Sequence, residues 1–377
     1  MRSLICFSRS AVLALLAVTA VSGVRRLPAQ AASPLPGDSS QITLDAFATD
    51  KLGHAVRGLT QQDFTVLDNG QPAQLTGFRA VDTSTCPDAV SVLVVVDMIN
   101  DDTTVVERER EQIGEFLSQD GGKLAHPVSI AAMTEKGVQM MKGYSQDGHD
   151  LLAAFQQLKS ELRPIGRSAG FYGAAERMQE SIEALTQITV HLSKLDGHKV
   201  VVVVGPGWAL LPNAGTQESD RQRAWVFDEL VALTNLLRES RTTVYSINPF
   251  MLGSTDPFFY RAYLKPVKKV EQAEYPYLSL QGLAEHSGGQ ALTMGNDILG
   301  AINAAVRNAG AFYELTFTAP TGEKRNEYHE LKVQAGKPDV KVMTNAGYYA
   351  RPGASINGKT TPPEKVPEPS TGMSGRP

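Results

Sequence analysis

Short runs of β-branched residues alternate with long segments of helical periodicity through the middle of this 377-residue chain. Runs of this kind favour strands that are buried on both faces of a sheet. Their alternation with helices predicts an α/β fold with a doubly wound, mainly parallel sheet and right-handed crossovers. The predicted strands are residues 92–96, 128–132, 200–204 and 244–247, and the predicted helices are residues 102–118, 148–162, 171–195, 219–239, 277–286 and 297–308. A break near residues 135–137 indicates a second strand within 128–144 and an antiparallel edge.

Shorter segments of alternating apolar and polar residues flank this α/β region on both sides. Residues 41–85 contain Asn69-Gly70, a strong hairpin signal, and the same strand rhythm returns in residues 310–350. Each segment alone is too small for a stable sheet domain. We therefore predict that the two β segments pair with each other and form a small β domain, with an α/β domain of residues 88–309 inserted between them.

The first residues have the features of a secretory signal peptide. Arg2 and Arg9 precede an apolar stretch at 11–21, and Ala29-Gln30-Ala31 has the form of a cleavage site. An uncleaved anchor is the alternative, but this stretch is too short to span a bilayer, which takes about 20 residues. We expect removal of residues 1–31 and export to the periplasm, the cell surface or the medium. No other segment is long enough to be transmembrane, so we expect no membrane span in the mature chain.

Composition is that of an ordinary soluble protein, with 42% hydrophobic and 20% charged residues. The formal net charge of -4 gives no indication of a nucleic-acid surface. Residues 32–40 are a linker by composition, and residues 351–377, rich in Pro, Gly, Ser and Thr, are expected to be a disordered tail. Because Cys6 lies within the signal peptide, Cys86 is expected to be a lone, partly buried thiol in the mature chain.

The stretch VSVLVVVDMINDD, residues 90–102, is an apolar strand that ends in an acidic cluster. In open parallel sheets, ligands bind beyond the carboxyl ends of the strands. Asp97 lies at such an end, where the loops at 166–178 and 205–212 are expected to converge. One interpretation is a cation site, which needs several oxygen ligands. The other is a capped turn, in which the carboxylate accepts backbone N–H groups and fixes the loop without an ion.

Several segments, in the same order along residues 41–350, resemble the von Willebrand factor type A-related family that is abundant in acidobacterial genomes. The segments are VRGLTQQDFTVLDNGQPAQLTGF before the central domain, DMIN at the first strand end, LAEHSGGQAL near the last strand, and YELTFTAP, YHELKV and GYYA after it. The resemblance implies a von Willebrand factor A-like fold and binding of another macromolecule. It also implies a metal-ion-dependent adhesion site built from an Asp-x-Ser-x-Ser loop, a Thr and a second Asp.

The match to that adhesion site is incomplete. Asp97 matches the first aspartate, whereas Ile99 and Asp101 occupy the two serine positions. Ser168 stands in for the threonine, and Gly205-Pro206-Gly207 replaces the third-loop aspartate. The metal candidates are therefore Asp97, Asp101 and Ser168, with Asn100 as a further oxygen donor. We expect a degenerate site and no cofactor, with weak Mg²⁺ or Ca²⁺ binding as the alternative.

Trp208, in the loop GPGWALLP, has two interpretations. An exposed Trp208 beside Gly207 would contact a partner on the loop rim; a buried Trp208 would pack beneath the loop. Trp225 lies in a helical pattern and is expected in the core. The partner-binding candidates are thus Trp208, Gly207, Asp97 and Asn100.

The sequence has no His-Glu-x-x-His or Cys-x-x-Cys motif. The seven histidines are scattered, and His329 falls on a strand face that is expected to be exposed. We predict an exported, non-catalytic adhesion-type module that binds an unknown protein or envelope component through loops at the carboxyl edge of the sheet. The alternatives are cation-dependent adhesion, an envelope enzyme of unrecognised type, or a structural envelope component.

Overall fold

The computed structural model describes residues 41–101, 103–159, 170–209, 218–248, 258–292, 297–320 and 324–350. The predicted signal peptide, linker and C-terminal tail lie outside these residues. No helix in the described part of the chain is long and apolar enough to cross a bilayer.

Strands and helices follow the predicted order closely. The strands are β1 Gln41–Thr49, β2 Phe64–Asp68, β3 Gln71–Ala73, β4 Leu75–Asp82, β5 Val90–Asp97, β6 Lys123–Thr134, β7 Gly137–Met140, β8 Ser145–Asp147, β9 His198–Val204, β10 Thr242–Ile247, β11 Ala291–Leu292, β12 Ala311–Thr318, β13 Glu327–Ala335, β14 Lys341–Met343 and β15 Gly347–Ala350. The α-helices are α1 Thr103–Ser118, α2 Gly148–Lys159, α3 Gly170–Leu192, α4 Asp220–Glu239, α5 Leu280–His286 and α6 Ile298–Asn308.

The central sheet is mainly parallel, as the sequence predicts for an α/β fold. Its strand order is β11-β10-β9-β5-β6-β7, and β8 also pairs with β6. Strands β5, β6, β9, β10 and β11 run parallel, whereas β7 and β8 run antiparallel to β6. The turn between β6 and β7 falls at Glu135 and Lys136, so the predicted antiparallel edge is confirmed.

Both faces of this sheet are covered by helices. On β5, Leu93 and Val95 face the core that contains residues of α3, α4 and α5. Val92, Val94 and Val96 face the opposite core, which contains residues of α1, α2 and α6. Because both faces of β5 are covered, residues 92–96 are apolar throughout and do not alternate with polar residues.

The two flanking segments form two small antiparallel sheets. One has the order β14-β1-β12-β4 and the other β15-β13-β2-β3, so each sheet mixes strands from before and after the α/β region. β1 and β4 flank β12, and β2 pairs with β13. A common core packs the sheets together and includes Leu44, Phe64, Leu315 and Val333. The predicted pairing of the two segments is confirmed, and Asn69-Gly70 forms the turn between β2 and β3.

The chain enters and leaves the α/β region at one place. Thr83, just after β4, donates hydrogen bonds to the carbonyl oxygen of Gly310, just before β12, from its backbone N (3.3 Å) and its Oγ1 (2.7 Å). Adjacent ends allow a domain to be inserted into another without disturbing its strand pairing. This contact explains how β4 and β12 can be sheet neighbours although the whole α/β region separates them in sequence.

One sequence expectation about a single residue in the β domain needs correction. His329 is buried and not exposed as expected. Its Nδ1–H donates to Asp68 Oδ1 at 2.7 Å, and its ring stacks on Tyr348. The hydroxyl of Tyr348 donates to the other oxygen of Asp68 at 2.7 Å.

A buried charge network joins the β domain to the amino edge of the central sheet. Asp45 on β1 accepts hydrogen bonds from His198 Nδ1 (2.7 Å) and from two nitrogens of Arg241 (3.0 and 2.6 Å). Arg241 also pairs with Glu314 on β12, which pairs with Arg79 on β4. His198 opens β9 and Arg241 directly precedes β10, so the network connects two central strands with three strands of the small sheet.

The protonation states in this network follow from burial. Burial alone would raise the pKa of Asp45, but the hydrogen bonds and charges of His198 and Arg241 outweigh it and lower that pKa to about 2. Burial lowers the pKa of His198, so the ring is neutral at pH 7 and donates through Nδ1–H. Arg241 is therefore the permanent cation that neutralises Asp45.

We predict that Asp45→Asn destabilises the protein by about 3 kcal/mol at pH 7, because it leaves Arg241 without its buried counter-ion. The carboxylate's contribution is fully present above its unfolded-state pKa near 4. About 2 kcal/mol of it is lost as the pH falls from about 4 to 2, since the folded pKa is the lower one. Urea unfolding at several pH values measures both effects.

Asp88 is exposed, so the substitution Asp88→Asn serves as the control for removal of one carboxylate. Its unfolding free energy should follow that of the unmodified protein at every pH. A stability difference between Asp45→Asn and the unmodified protein that stays constant from pH 5 to pH 2 would contradict the assignment.

Candidate functional site

The carboxylate of Asp97, at the end of β5, is completely buried and is held by its own loop. Its Oδ1 accepts hydrogen bonds from the backbone N–H groups of Ile99 and Asn100, both at 3.1 Å. The side-chain amide of Asn100 donates to Oδ1 at 3.1 Å and to Oδ2 at 2.9 Å. This arrangement is an Asx-type turn, which closes the strand end without any ion.

Asn100 connects this turn to α3. Its Nδ2 also donates to Ser181 Oγ at 2.9 Å, and Ser181 in turn donates to the carbonyl oxygen of Arg177 at 2.7 Å. The amide therefore presents donors, not its oxygen, to both Asp97 and Ser181. Sequence reasoning missed Ser181, because one serine on the apolar face of a long helix carries no motif.

Two further carboxyl groups, Asp101 and Glu109, are buried beside Asp97. Burial is the largest cause that raises the pKa of Glu109 well above its usual range, followed by the charge of Asp101 and a hydrogen bond to it. Two ionised carboxylates this close would repel each other, so Glu109 keeps its proton. A neutral Glu109 offers no charge to a cation.

Gly205, in the loop after β9, lies directly against Asp97. A Cβ at position 205 would come within 2.7 Å of Asp97 Cβ and 3.4 Å of Asp101 Oδ2, and the backbone φ is +143°. An aspartate could not enter this position without moving the loop. The close approach of the two loops thus occupies the space in which the resemblance would place the third-loop ligand.

These contacts fit a hydrogen-bonded turn better than a cation site. Both oxygens of Asp97 already accept from N–H donors, and Asn100 presents its amide nitrogen. Within the described ranges, no group of three or more His, Cys, Asp or Glu residues could hold a metal ion. Ser168, the third predicted ligand, lies outside those ranges. Mg²⁺ requires a near-octahedral shell of oxygen ligands, which Asp97 and Asp101 do not provide in this geometry.

The expectation of an exposed Trp208 is wrong, and its buried alternative is the one observed. Trp208 is 2% exposed, lies in the core with α3, α4 and α5, and donates its indole N–H to the carbonyl oxygen of Leu278 at 2.8 Å. Gly207 has a φ of +68° and packs against Leu280, which fastens this loop to α5. Since Asp97 is buried too, neither Asp97 nor Trp208 is accessible to a partner.

An open groove of about 580 Å³ lies at the same edge of the sheet, between the N-terminal halves of α3 and α4. We call it the aromatic groove. The described residues that line it are Ala175, Glu176, Met178 and Gln179 from α3, Arg221, Gln222 and Trp225 from α4, and Tyr275 from the 3₁₀ turn Tyr275–Leu278. Both helices begin near the carboxyl ends of the strands, so the groove belongs to the edge where ligands of open sheets bind.

Trp225 and Tyr275 form the apolar side of this groove. Trp225 is half-buried, not a core residue as expected, and its ring centroid lies 6.2 Å from that of Tyr275. Arg223 fixes the Tyr275 segment by donating to the carbonyl oxygens of Glu218 (3.2 Å) and Glu271 (2.5 Å). The sequence carried only a weak signal for this groove, since its residues come from three separate segments.

We predict that Asn100→Asp destabilises the protein by about 3 kcal/mol, because a carboxylate would replace the donor that faces both oxygens of Asp97. Denaturant unfolding at pH 7 measures the change. Asn326→Asp, a residue in a turn of the β domain, is the matched control and should cost less than about 1 kcal/mol. Equal effects of the two substitutions would contradict the assigned geometry.

We also predict that the chain shows no saturable heat on calorimetric titration with Mg²⁺, Mn²⁺ or Ca²⁺ at concentrations up to about 1 mM. The physical reason is that the oxygens of Asp97 are already occupied by N–H donors. Saturable binding that disappears in both Asp97→Asn and Ser168→Ala would show that the loops can rearrange into a cation site, contrary to this prediction.

Comparisons with known proteins identify no family. No family model matches the chain, and no curated protein matches it. Structural similarity is found to the human COPII-coat protein Sec24c, at 8% identity and a TM-score of 0.30, covering 73% of this chain and 46% of that one. A D319A mutant of the PilB minor pilin from Streptococcus sanguinis matches at 10% identity and a TM-score of 0.31, covering 58% and 62%.

The N-terminal domain of TFIIH p34 matches at 10% identity and a TM-score of 0.21, covering 43% of this chain and 82% of that one. The chain thus spans less than two thirds of the Sec24c and PilB chains. TM-scores of this size establish neither a shared overall fold nor a shared function.

Proposed function

We propose that this protein is an exported, non-catalytic binding module that holds a macromolecular partner at the carboxyl edge of its central sheet. The signal-like residues 1–31 support export, and the resemblance to the von Willebrand factor A-related family supports adhesion-type binding. The observation that carries the proposal is the aromatic groove, because it is a concave surface with exposed polar groups around two half-buried aromatic rings.

The composition of the aromatic groove suits a protein segment. Tryptophan, tyrosine and arginine are the residues that most often dominate binding energy at protein interfaces, and Trp225, Tyr275 and Arg221 lie here together. Met178 provides a buried apolar floor, while Glu176 and Gln179 lie exposed on the rim. Such a surface can take an apolar side chain against the rings and satisfy polar groups at its margin.

The chemistry of the buried His–Asp pairs argues against the enzyme alternative. His198 and Asp45 have the hydrogen bond of a catalytic pair, but they lie at the amino edge, away from the groove. The His198 ring packs against Phe47 and Phe312 at 4.8 and 5.6 Å, and its Nε2 is buried without a hydrogen-bond partner. Among the described residues, no nucleophilic side chain hydrogen-bonds this nitrogen, which supports a structural role for the pair.

The test uses a phage-displayed library of random peptides of about 16 residues, selected on the purified chain. We predict that selected peptides lose affinity about tenfold or more on Trp225→Ala, because a central aromatic contact is removed. Fluorescence anisotropy of labelled peptides measures the affinity, and circular dichroism checks that the variant is folded.

Leu52→Ala is the matched control. Leu52 is 81% exposed at a hairpin tip of the β domain, so its truncation also removes an exposed apolar side chain, but away from the carboxyl edge. Its peptide affinities should stay within about twofold. A selection without enrichment, or binders that are insensitive to Trp225→Ala, would contradict the proposed function.

A further inference from the structure

We propose that the proline-rich segment of this same chain, residues 362–369, docks in the aromatic groove. The segment reads PPEKVPEP and belongs to residues 351–377, which follow β15. As a statement about regulation the proposal rests on the proposed function, since the docked segment would compete with the partner for one surface. The docking itself can be measured without any partner.

The aromatic groove has the groups that a proline-rich segment requires. Proline-rich sequences favour the polyproline II conformation, which has no internal hydrogen bonds and leaves its carbonyl oxygens free to accept. Such segments bind grooves in which aromatic rings contact the proline rings and nearby donors meet the carbonyls. Trp225 and Tyr275 supply two rings inclined at 53° to each other, and Arg221 supplies guanidinium donors beside them.

The charges of the groove and the segment are complementary. Arg221 and Glu176 lie exposed on α4 and α3, on opposite helices of the groove. The segment carries Glu364 and Glu368 as partners for an arginine, and Lys365 as a partner for a glutamate. Exposed pairs of this kind add little affinity, but they select the register in which the prolines meet the rings.

The last strand ends close enough for this segment to reach the groove. Tyr349 on β15 packs against Phe227 of α4 with ring centroids 5.8 Å apart, and its backbone N donates to Asn235 Oδ1 at 3.1 Å. Ten residues separate Asn235 from Trp225 on this helix, or about 15 Å at 1.5 Å per residue. Residues 351–361 can span about 34 Å in an extended polyproline II conformation, which is more than this distance.

The short connection makes even a weak contact effective. A tether of this length holds the segment at an effective concentration in the millimolar range, whereas a free peptide has to bind from solution. A contact with a dissociation constant on the order of 1 mM in trans is therefore substantially occupied within the chain. A partner then binds only after it has displaced the segment, which lowers its apparent affinity.

The test measures acrylamide quenching of tryptophan fluorescence. Trp208 is buried and contributes little, so Trp225 dominates the quenching. We predict that deletion of residues 356–377 raises the quenching constant about twofold, because a ring covered on one face is reached by the quencher only from the other. A synthetic peptide of residues 359–370, added to the deletion variant, should restore the lower value.

Two controls isolate the prolines and the ring. A full-length variant with Pro362, Pro363, Pro367 and Pro369 replaced by alanine should be quenched like the deletion variant, and the corresponding peptide should not protect. In Trp225→Phe, the deletion should leave the quenching unchanged. Equal quenching of the full-length and deletion chains would overturn the proposal, and so would equal protection by the proline and alanine peptides.

The outcomes also separate this proposal from the proposed function. If quenching changes as predicted while the peptide library yields no binder, the groove holds the segment but the adhesion function fails. If library peptides bind through Trp225 with the same affinity in full-length and deletion chains, the function stands and docking of residues 362–369 is overturned.

Discussion

Neither small sheet of this protein can form until strands from both sides of the inserted α/β region have met. β12 lies between β1 and β4, and β13 pairs with β2, so each small sheet contains a strand pairing across the insertion. The hydrogen bonds between Thr83 and Gly310 show how this constraint is met, since the folded insertion brings its own two ends together. Folding of the insertion therefore reduces the entropy cost of bringing the strands on its two sides together.

The two edges of the central sheet treat buried carboxylates in opposite ways. At the amino edge, Asp45 stays ionised because Arg241 and His198 bond both of its oxygens. At the carboxyl edge, N–H donors of its own loop hold the carboxylate of Asp97. Asp101 and Glu109 nearby are accommodated by keeping a proton on Glu109. The first edge therefore attaches a second domain, while the second edge closes a turn.

Among the described residues, the surface between α3 and α4 presents half-buried aromatic side chains at the carboxyl edge. The loop of Trp208 is turned inward onto α5, and Asp97 lies below the surface. The aromatic groove remains open because Trp225 and Tyr275 are inclined to each other and Met178 closes the floor between the helices. A binding role for this edge thus depends on helix starts more than on the strand-end loops that the resemblance singles out.

Local patterns in the sequence determined the elements and the fold class. β-branched runs such as residues 92–96 favour buried strands and the Asn69-Gly70 pair favours a tight turn, and both preferences are local. The sequence also identified the strand end at Asp97 and offered a capped turn as one of its two interpretations. It could not decide between them, because the answer depends on Ser181, Glu109 and Gly205, which reach Asp97 only through the packing of α3, α1 and the loop after β9. The burial of Trp208 and His329 and the partial exposure of Trp225 were likewise decided by tertiary structure, since the accessibility of a residue depends on which other elements cover it.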